Sequence, residues 1–204
     1  FLWLGYVTQT QGLVTTSTIN SGVVTGFYIV LTPFLSKLFN NTDLKTKNYI
    51  YSILGFTGIV LISINDISQV FGNLFTLICA AAYAMHIVLV ERYVKNQNIS
   101  QLMFVQSLTG GILCLPLISL SEFVFLPEYL FPVIFLGLVV NVGAFYLQLY
   151  GQKLIQASTS ALILSLEAIF ALLIGILVAN EFLNLLNWFG VILVLISIYL
   201  VIKE

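Results

Sequence analysis

The stretch Ala157-Ser-Thr-Ser-Ala161-Leu-Ile-Leu-Ser165-Leu-Glu167-Ala-Ile-Phe-Ala171-Leu-Leu-Ile-Gly175-Ile-Leu-Val-Ala179 carries a single charge, Glu167, near its middle. A helix needs about 20 mainly apolar residues to cross the roughly 30 Å hydrocarbon core of a bilayer, and this run meets that length. Six more runs of this kind flank it, near Ile19–Phe39, Tyr49–Ile64, Phe71–Val90, Leu102–Ser121, Leu130–Leu149 and Leu185–Ile202, with a remnant at about Phe1–Leu13. None alternates polar and apolar residues as a barrel strand does, so the backbone must satisfy itself in lipid as helix. The expected fold is an all-α polytopic membrane bundle.

Composition agrees with that reading. Of 204 residues, 60% are apolar or aromatic and only 7% are charged, with a mean hydropathy of +1.08. So little polar surface cannot cover a water-soluble core of this size. The net charge of −1 offers no clustered basic face, so nucleic acid is excluded as a partner. Cys79 and Cys114 both fall inside apolar runs and read as small buried residues. The chain opens Phe1-Leu2-Trp3-Leu4-Gly5 without methionine or a cleavable leader pattern, which reads as a start inside a hydrophobic segment of a longer protein.

The basic residues fall on alternate junctions. Lys37, Lys45 and Lys47 lie at or after Ile19–Phe39, Arg92 and Lys95 follow Phe71–Val90, Lys153 follows Leu130–Leu149, and Lys203 follows the last run. The intervening junctions hold Asp66, Glu122, Glu128 and Glu181 and no Lys or Arg. By the positive-inside rule the basic side and the C-terminus are cytoplasmic, and the loop near Asn65–Gln69 is outside. Trp3, Trp188 and several tyrosines near span ends read as interface anchors.

Shifting the chain by 139 residues aligns Gly12 with Gly151, Gln9 with Gln148, Ser21 with Ser160 and Tyr28 with Glu167. A loop seven residues shorter in the later copy then brings Gly58 onto Gly190. Charge parity makes Ile19–Phe39 run inward and Ala157–Ala179 outward, so the copies are inverted, as in secondary transporters that rock two halves around a midplane site.

The polar residues inside spans are the candidate site. A carboxylate at mid-membrane costs about 2.5–3.5 kcal/mol on insertion scales, so Glu167 is expected to face the bundle interior. It serves either as a substrate or proton site or as a hydrogen-bonding group that fixes packing. Ser21, Thr25, Tyr28 and Thr32 form one polar stripe on their helix, suited to a wet cavity or to bonding back onto their own backbone. His86 shares a face with Thr76, Cys79 and Tyr83; one histidine cannot build a metal site, and an interhelical hydrogen bond is the favoured role over a proton relay. Asn141 and Gln148, seven apart, join the cavity wall or bridge to neighbouring helices. Gly22-x-x-x-Gly26 is a weak close-packing signal. No phosphate-binding loop, HExxH or GxSxG motif is present, and no lysine sits at mid-membrane for a retinal Schiff base.

Three segments, Gly12 to Pro33, Ala81-Ala-Tyr-Ala-Met-His-Ile-Val-Leu-Val-Glu91-Arg92, and Ala161 through Glu181 with its Ser-Leu-Glu and Asn-Glu elements, together resemble the EamA-type family of the drug/metabolite transporter superfamily. The resemblance implies ten helices in two inverted five-helix repeats, of which this chain carries about seven plus the remnant. Residues 1–66 then form the C-terminal part of the first repeat and residues 71–204 the second. It further implies a permease of the cell (inner) membrane that exports amino acids or other small metabolites by alternating access, without cofactor or covalent chemistry. Its cavity would be lined by Thr25, Tyr28, His86, Asn141, Gln148 and Glu167, its partners are a metabolite and the lipid bilayer, and a homo-oligomer is compatible with it. The family commonly has proline after this glutamate and this chain has Ala168, so a helix break there is less assured. A non-transporting receptor or scaffold is the alternative; a membrane enzyme is disfavoured for want of a nucleophile–base pair.

Overall fold

The computed structural model describes residues 1–41, 46–64, 67–117 and 127–203; Lys45, Asp66 and Glu122 lie outside them. Helix α1 (Leu2–Leu13) is followed by a helix interrupted at Gly26 and Phe27, which gives α2 (Thr18–Thr25) and α3 (Tyr28–Asn40). Next come α4 (Thr46–Ile64), α5 (Ile67–Val94) and α6 (Ile99–Cys114). One long span is then composed of α7 (Leu130–Ile134), a π-helical stretch over Phe135–Ala144, and α8 (Phe145–Leu154). A second interrupted helix, α9 (Ala157–Leu164) and α10 (Leu166–Leu177), precedes α11 (Leu185–Ile202).

Among the described residues, five continuous segments are long and apolar enough to cross a membrane: Thr18–Asn40, Gln69–Val94, Ile99–Leu117, Pro127–Leu154 and Ala157–Leu177. Tyr49–Ile62 and Leu185–Leu200 are apolar but shorter. Large side chains such as Phe131, Leu138 and Leu147 on Pro127–Leu154 are exposed, the surface that a lipid-facing helix requires. Polar caps open several helices: Ser17 Oγ accepts from Asn20 N at 3.1 Å, Asn98 Oδ1 from Gln101 N at 3.2 Å, and Asn184 Oδ1 from Asn187 N at 2.9 Å.

The interrupted helix α2–α3 sits at the centre, where Ile19, Val23, Val24, Ile29 and Val30 are buried in one cluster with Ala84 and Val88 of α5, Ala161 of α9 and Val194 of α11. Small residues set the closest approaches. A Cβ added at Gly22 would lie 2.1 Å from Ala171 Cβ, at Gly26 2.9 Å from Ala168 Cβ, and at Gly175 2.3 Å from Ile19 Cγ1. As α2 numbers rise α10 numbers fall, so these two helices are antiparallel, and the Gly22-x-x-x-Gly26 signal is a real contact surface. Helices α4 and α11 are antiparallel by the same logic, with Ser197 Oγ donating to Tyr51 O at 2.6 Å and Asn187 Nδ2 to Ile62 O at 3.4 Å.

Helix ends gather in two layers. Arg92 Nη1 donates to Phe39 O at 2.8 Å, Asn40 Nδ2 to Glu91 Oε2 at 2.8 Å, and Lys153 Nζ to Gln97 O at 3.2 Å, so the basic ends of α3, α5 and α8 meet at one end of the bundle. At the opposite ends of these helices Glu181 meets Thr18 and Ile19, and Asn20 Nδ2 donates to Gln69 Oε1 at 2.7 Å.

The second interrupted helix breaks without a proline. Ser165 is a turn between α9 and α10, and Ala168 N donates to Ser165 O at 3.0 Å, an i to i−3 bond. The first break uses the same device, with Ile29 N to Gly26 O at 3.2 Å and Val30 N to Phe27 O at 2.9 Å. One tight turn of this kind interrupts a helix whether or not a proline follows, so Ala168 does not remove the break.

Candidate functional site

Each break delivers one polar side chain to the same space. Tyr28 is the first residue of α3 and Glu167 the second of α10, and both line a cavity of about 140 Å³. Tyr83, His86 and Ile87 of α5, Ala144 from the end of the π-helical stretch, Phe145 and Gln148 of α8 and Leu164 of α9 complete its wall. Glu167 lines this cavity and counts as an exposed residue.

Four expected site residues therefore meet: Tyr28, His86, Gln148 and Glu167. Thr25 lies behind the wall, fully buried. Asn141 lines a neighbouring cavity of about 520 Å³ between α1, α6 and the π-helical stretch, where its Oδ1 accepts from Tyr6 OH at 3.0 Å. Seven residues return to one face only in an α-helix; the wider i to i+5 turns through Phe135–Ala144 carry Asn141 off the face of Gln148.

The hydroxyl stripe divides. Thr32 Oγ1 donates back to Tyr28 O at 2.7 Å, the ordinary intrahelical bond. Ser21 Oγ, Thr25 Oγ1 and Tyr28 OH are buried without a hydrogen-bond partner among the described residues. Three such groups along one helix are costly unless water or a ligand meets them.

Other polar groups are paired and hold the wall in place. His86 Nε2 is 2.9 Å from Gln106 Oε1, the interhelical bond expected of it. Gln148 Nε2 donates to Gln152 Oε1 at 3.1 Å, and buried Gln152 donates onward to Ile87 O at 2.9 Å. Tyr83 OH donates to Gln9 Oε1 at 3.2 Å, and the Gln9 side chain reaches the Glu167 carboxylate. Gln9 and Gln106 also line the larger cavity, so the Tyr83–Gln9 and His86–Gln106 pairs form the partition between the two spaces.

Tyr83, Phe145 and Gln9 are the site residues that the sequence reading left out. Two signals pointed to them: Tyr83 shares the helix face of His86, and Gln9 is the repeat counterpart of Gln148. Phe145 carries none, because one more aromatic on an apolar helix is unremarkable in sequence.

The model of the EamA-like transporter family matches residues 70–203. A curated relative from Archaeoglobus fulgidus, named "Uncharacterized transporter", is 29% identical over 201 residues, which cover 98% of this chain and 65% of the relative. The chain thus spans less than two thirds of that protein's length. A solved crystal structure is similar with a TM-score of 0.69 at 16% identity, over 98% of this chain and 74% of its own; at that identity the likeness speaks to fold alone.

Proposed function

The chain belongs to the EamA-like transporter family, and from that premise we propose that it is the greater part of a secondary transporter. It exports a small metabolite, amino acids included, through the cavity at Glu167. Residues 1–66 belong to a first repeat and residues 71–204 to a second; the family match over 70–203 supports the second boundary. The protein resides in the cell membrane with its basic helix ends and C-terminus in the cytoplasm.

One observation carries the reading: Tyr28 and Glu167, at equivalent positions of two interrupted helices, converge on one cavity. Antiparallel packing of α2 on α10 and of α4 on α11 supports an inverted pair of units. Alternating access then follows from rocking one unit against the other about the shared site. Thr25 contributes a buried hydroxyl behind the wall, and Asn141 belongs to the adjoining cavity.

The test is flux in proteoliposomes holding the full-length protein, loaded with a radiolabelled amino acid mixture. Export should fall about tenfold or more in Glu167→Gln, the scale of losing one charged contact. Unchanged flux in that variant overturns the site. Absence of any flux from the intact protein favours a receptor or scaffold instead.

A further inference from the structure

We infer that the pocket between the basic ends of α3 and α5 holds the headgroup of an anionic phospholipid, bound through its phosphodiester. The inference needs only a chain that spans a membrane and does not draw on the transport reading above.

Phe39, Asn40 and Asn41 at the end of α3 and Glu91, Arg92 and Lys95 at the end of α5 line a pocket of about 410 Å³. Hydrogen bonds set its charge balance. Asn40 Nδ2 donates to Glu91 Oε2 at 2.8 Å, so the one carboxylate is held by a neutral amide. Arg92 Nη1 donates to Phe39 O at 2.8 Å, and its guanidinium carbon lies 5.7 Å from the centre of the Tyr93 ring. Neither Arg92 nor Lys95 forms an ion pair among the described residues. Two unpaired cations thus share the pocket with a carboxylate that is already engaged, and Lys37 in the last turn of α3 adds a third positive charge at this end.

Arg92 is the anchor. A guanidinium carries five N–H donors in a rigid fork, and the bond to Phe39 O uses one nitrogen and leaves the others for phosphate oxygens. Lys95 supplies a point charge on a flexible stem. Asn40 Oδ1 is buried without a hydrogen-bond partner among the described residues, and a headgroup hydroxyl would satisfy it. Glu91 opposes a doubly charged anion more than a singly charged one, which favours a phosphodiester over inorganic phosphate.

The surroundings also select a lipid. Leu38 and Tyr93, each next in sequence to a pocket residue, are 70% and 57% exposed. Both stand at the ends of the long apolar segments Thr18–Asn40 and Gln69–Val94, the level at which headgroups and interfacial tyrosines lie. Acyl chains hanging from this pocket cover apolar surface, which a free ion cannot do. Basic pockets between helices at the cytoplasmic face suit anionic headgroups for these reasons.

Native mass spectrometry of the full-length protein in detergent tests this with phosphatidylglycerol and phosphatidylcholine of identical acyl chains, and with glycerol 3-phosphate as a headgroup lacking a tail. Phosphatidylglycerol should be retained about tenfold more strongly than phosphatidylcholine, the scale of two basic contacts at a membrane surface, and glycerol 3-phosphate should not compete. Lys95→Gln should lower that preference about fivefold, and Arg92→Gln should lower it further. Lys153→Gln removes the same charge from α8, outside the pocket, and should leave the preference unchanged. Lys95 is exposed, and thermal midpoints taken without added lipid verify that each variant folds. Equal retention of the two lipids, competition by glycerol 3-phosphate, or equal losses in Lys95→Gln and Lys153→Gln overturns the inference; the last result would mark a general basic surface with no site in it.

Discussion

Gly58 and Gly190 lie backbone against backbone where α4 crosses α11. A Cβ at Gly58 would sit 2.6 Å from Gly190 O, and one at Gly190 would sit 2.7 Å from Gly58 O. The contact is reciprocal, and these are the two residues that the sequence shift aligns. Alanine favours a helix over glycine by roughly 1 kcal/mol. Overpacking costs typically about 1–3 kcal/mol, and a carbonyl cannot swing aside as a side-chain tip does. Both Gly58→Ala and Gly190→Ala are therefore expected to lower the thermal midpoint in detergent; an unchanged or raised midpoint would show the helices free to separate.

Gly22 and Ala171 offer a compensated version of the same test. Gly22→Ala drives two methyl groups together, since its Cβ would lie 2.1 Å from Ala171 Cβ. Ala171→Gly removes the obstructing methyl. The double variant should be more stable than the sum of the single effects predicts, with a coupling of about 0.5–3 kcal/mol. Additive unfolding free energies across the four proteins would refute direct contact.

Glu181, in the link between α10 and α11, caps α2. Its Oε1 accepts from Thr18 N at 2.7 Å and its Oε2 from Ile19 N at 2.9 Å, which satisfies two of the amides that a helix start leaves unpaired. The negative charge also complements the helix dipole. Glu181→Ala should cost roughly 0.5–2 kcal/mol, the range of a lost cap. Glu181→Gln keeps one acceptor and should lose about half as much. Faster amide exchange at Thr18 and Ile19 in the alanine variant is the specific signature, and unaltered exchange at those two amides would mean the cap is not formed in solution.

The fold was legible because hydrocarbon thickness imposes one length on every span. Ile19–Phe39 and Phe71–Val90 fall within Thr18–Asn40 and Gln69–Val94 with ends moved by a few residues. Interruptions were less legible. Pro33 draws attention to α3, yet Ser165 breaks its helix with a tight turn that no residue type announces. The site shows the same contrast. Tyr28 and Glu167 stand out as polar groups at matching places, whereas Asn141 left their cavity because Phe135–Ala144 winds as π-helix. Apolar sequence does not encode that pitch visibly.

Tyr28 separates stability from binding. Its hydroxyl is buried and has no hydrogen-bond partner among the described residues, while its ring lines the cavity. Removing a buried polar atom that lacks a partner is neutral or stabilising, because an existing desolvation penalty of about 1–3 kcal/mol is relieved. Tyr28→Phe should therefore unfold at the same temperature as the parent or above it, and yet export more slowly, because the proposed substrate is the partner that the hydroxyl lacks. Gln152→Leu is the opposite case. It strips Ile87 O and Gln148 of their partner at a fully buried position, and interhelical bonds in membrane proteins average about 0.6 kcal/mol. That variant should melt earlier, and its export should recover when assayed well below its midpoint. Measuring flux and thermal midpoint on both proteins decides the matter: a Tyr28→Phe variant that loses stability, or that exports as fast as the parent, removes the hydroxyl from the site.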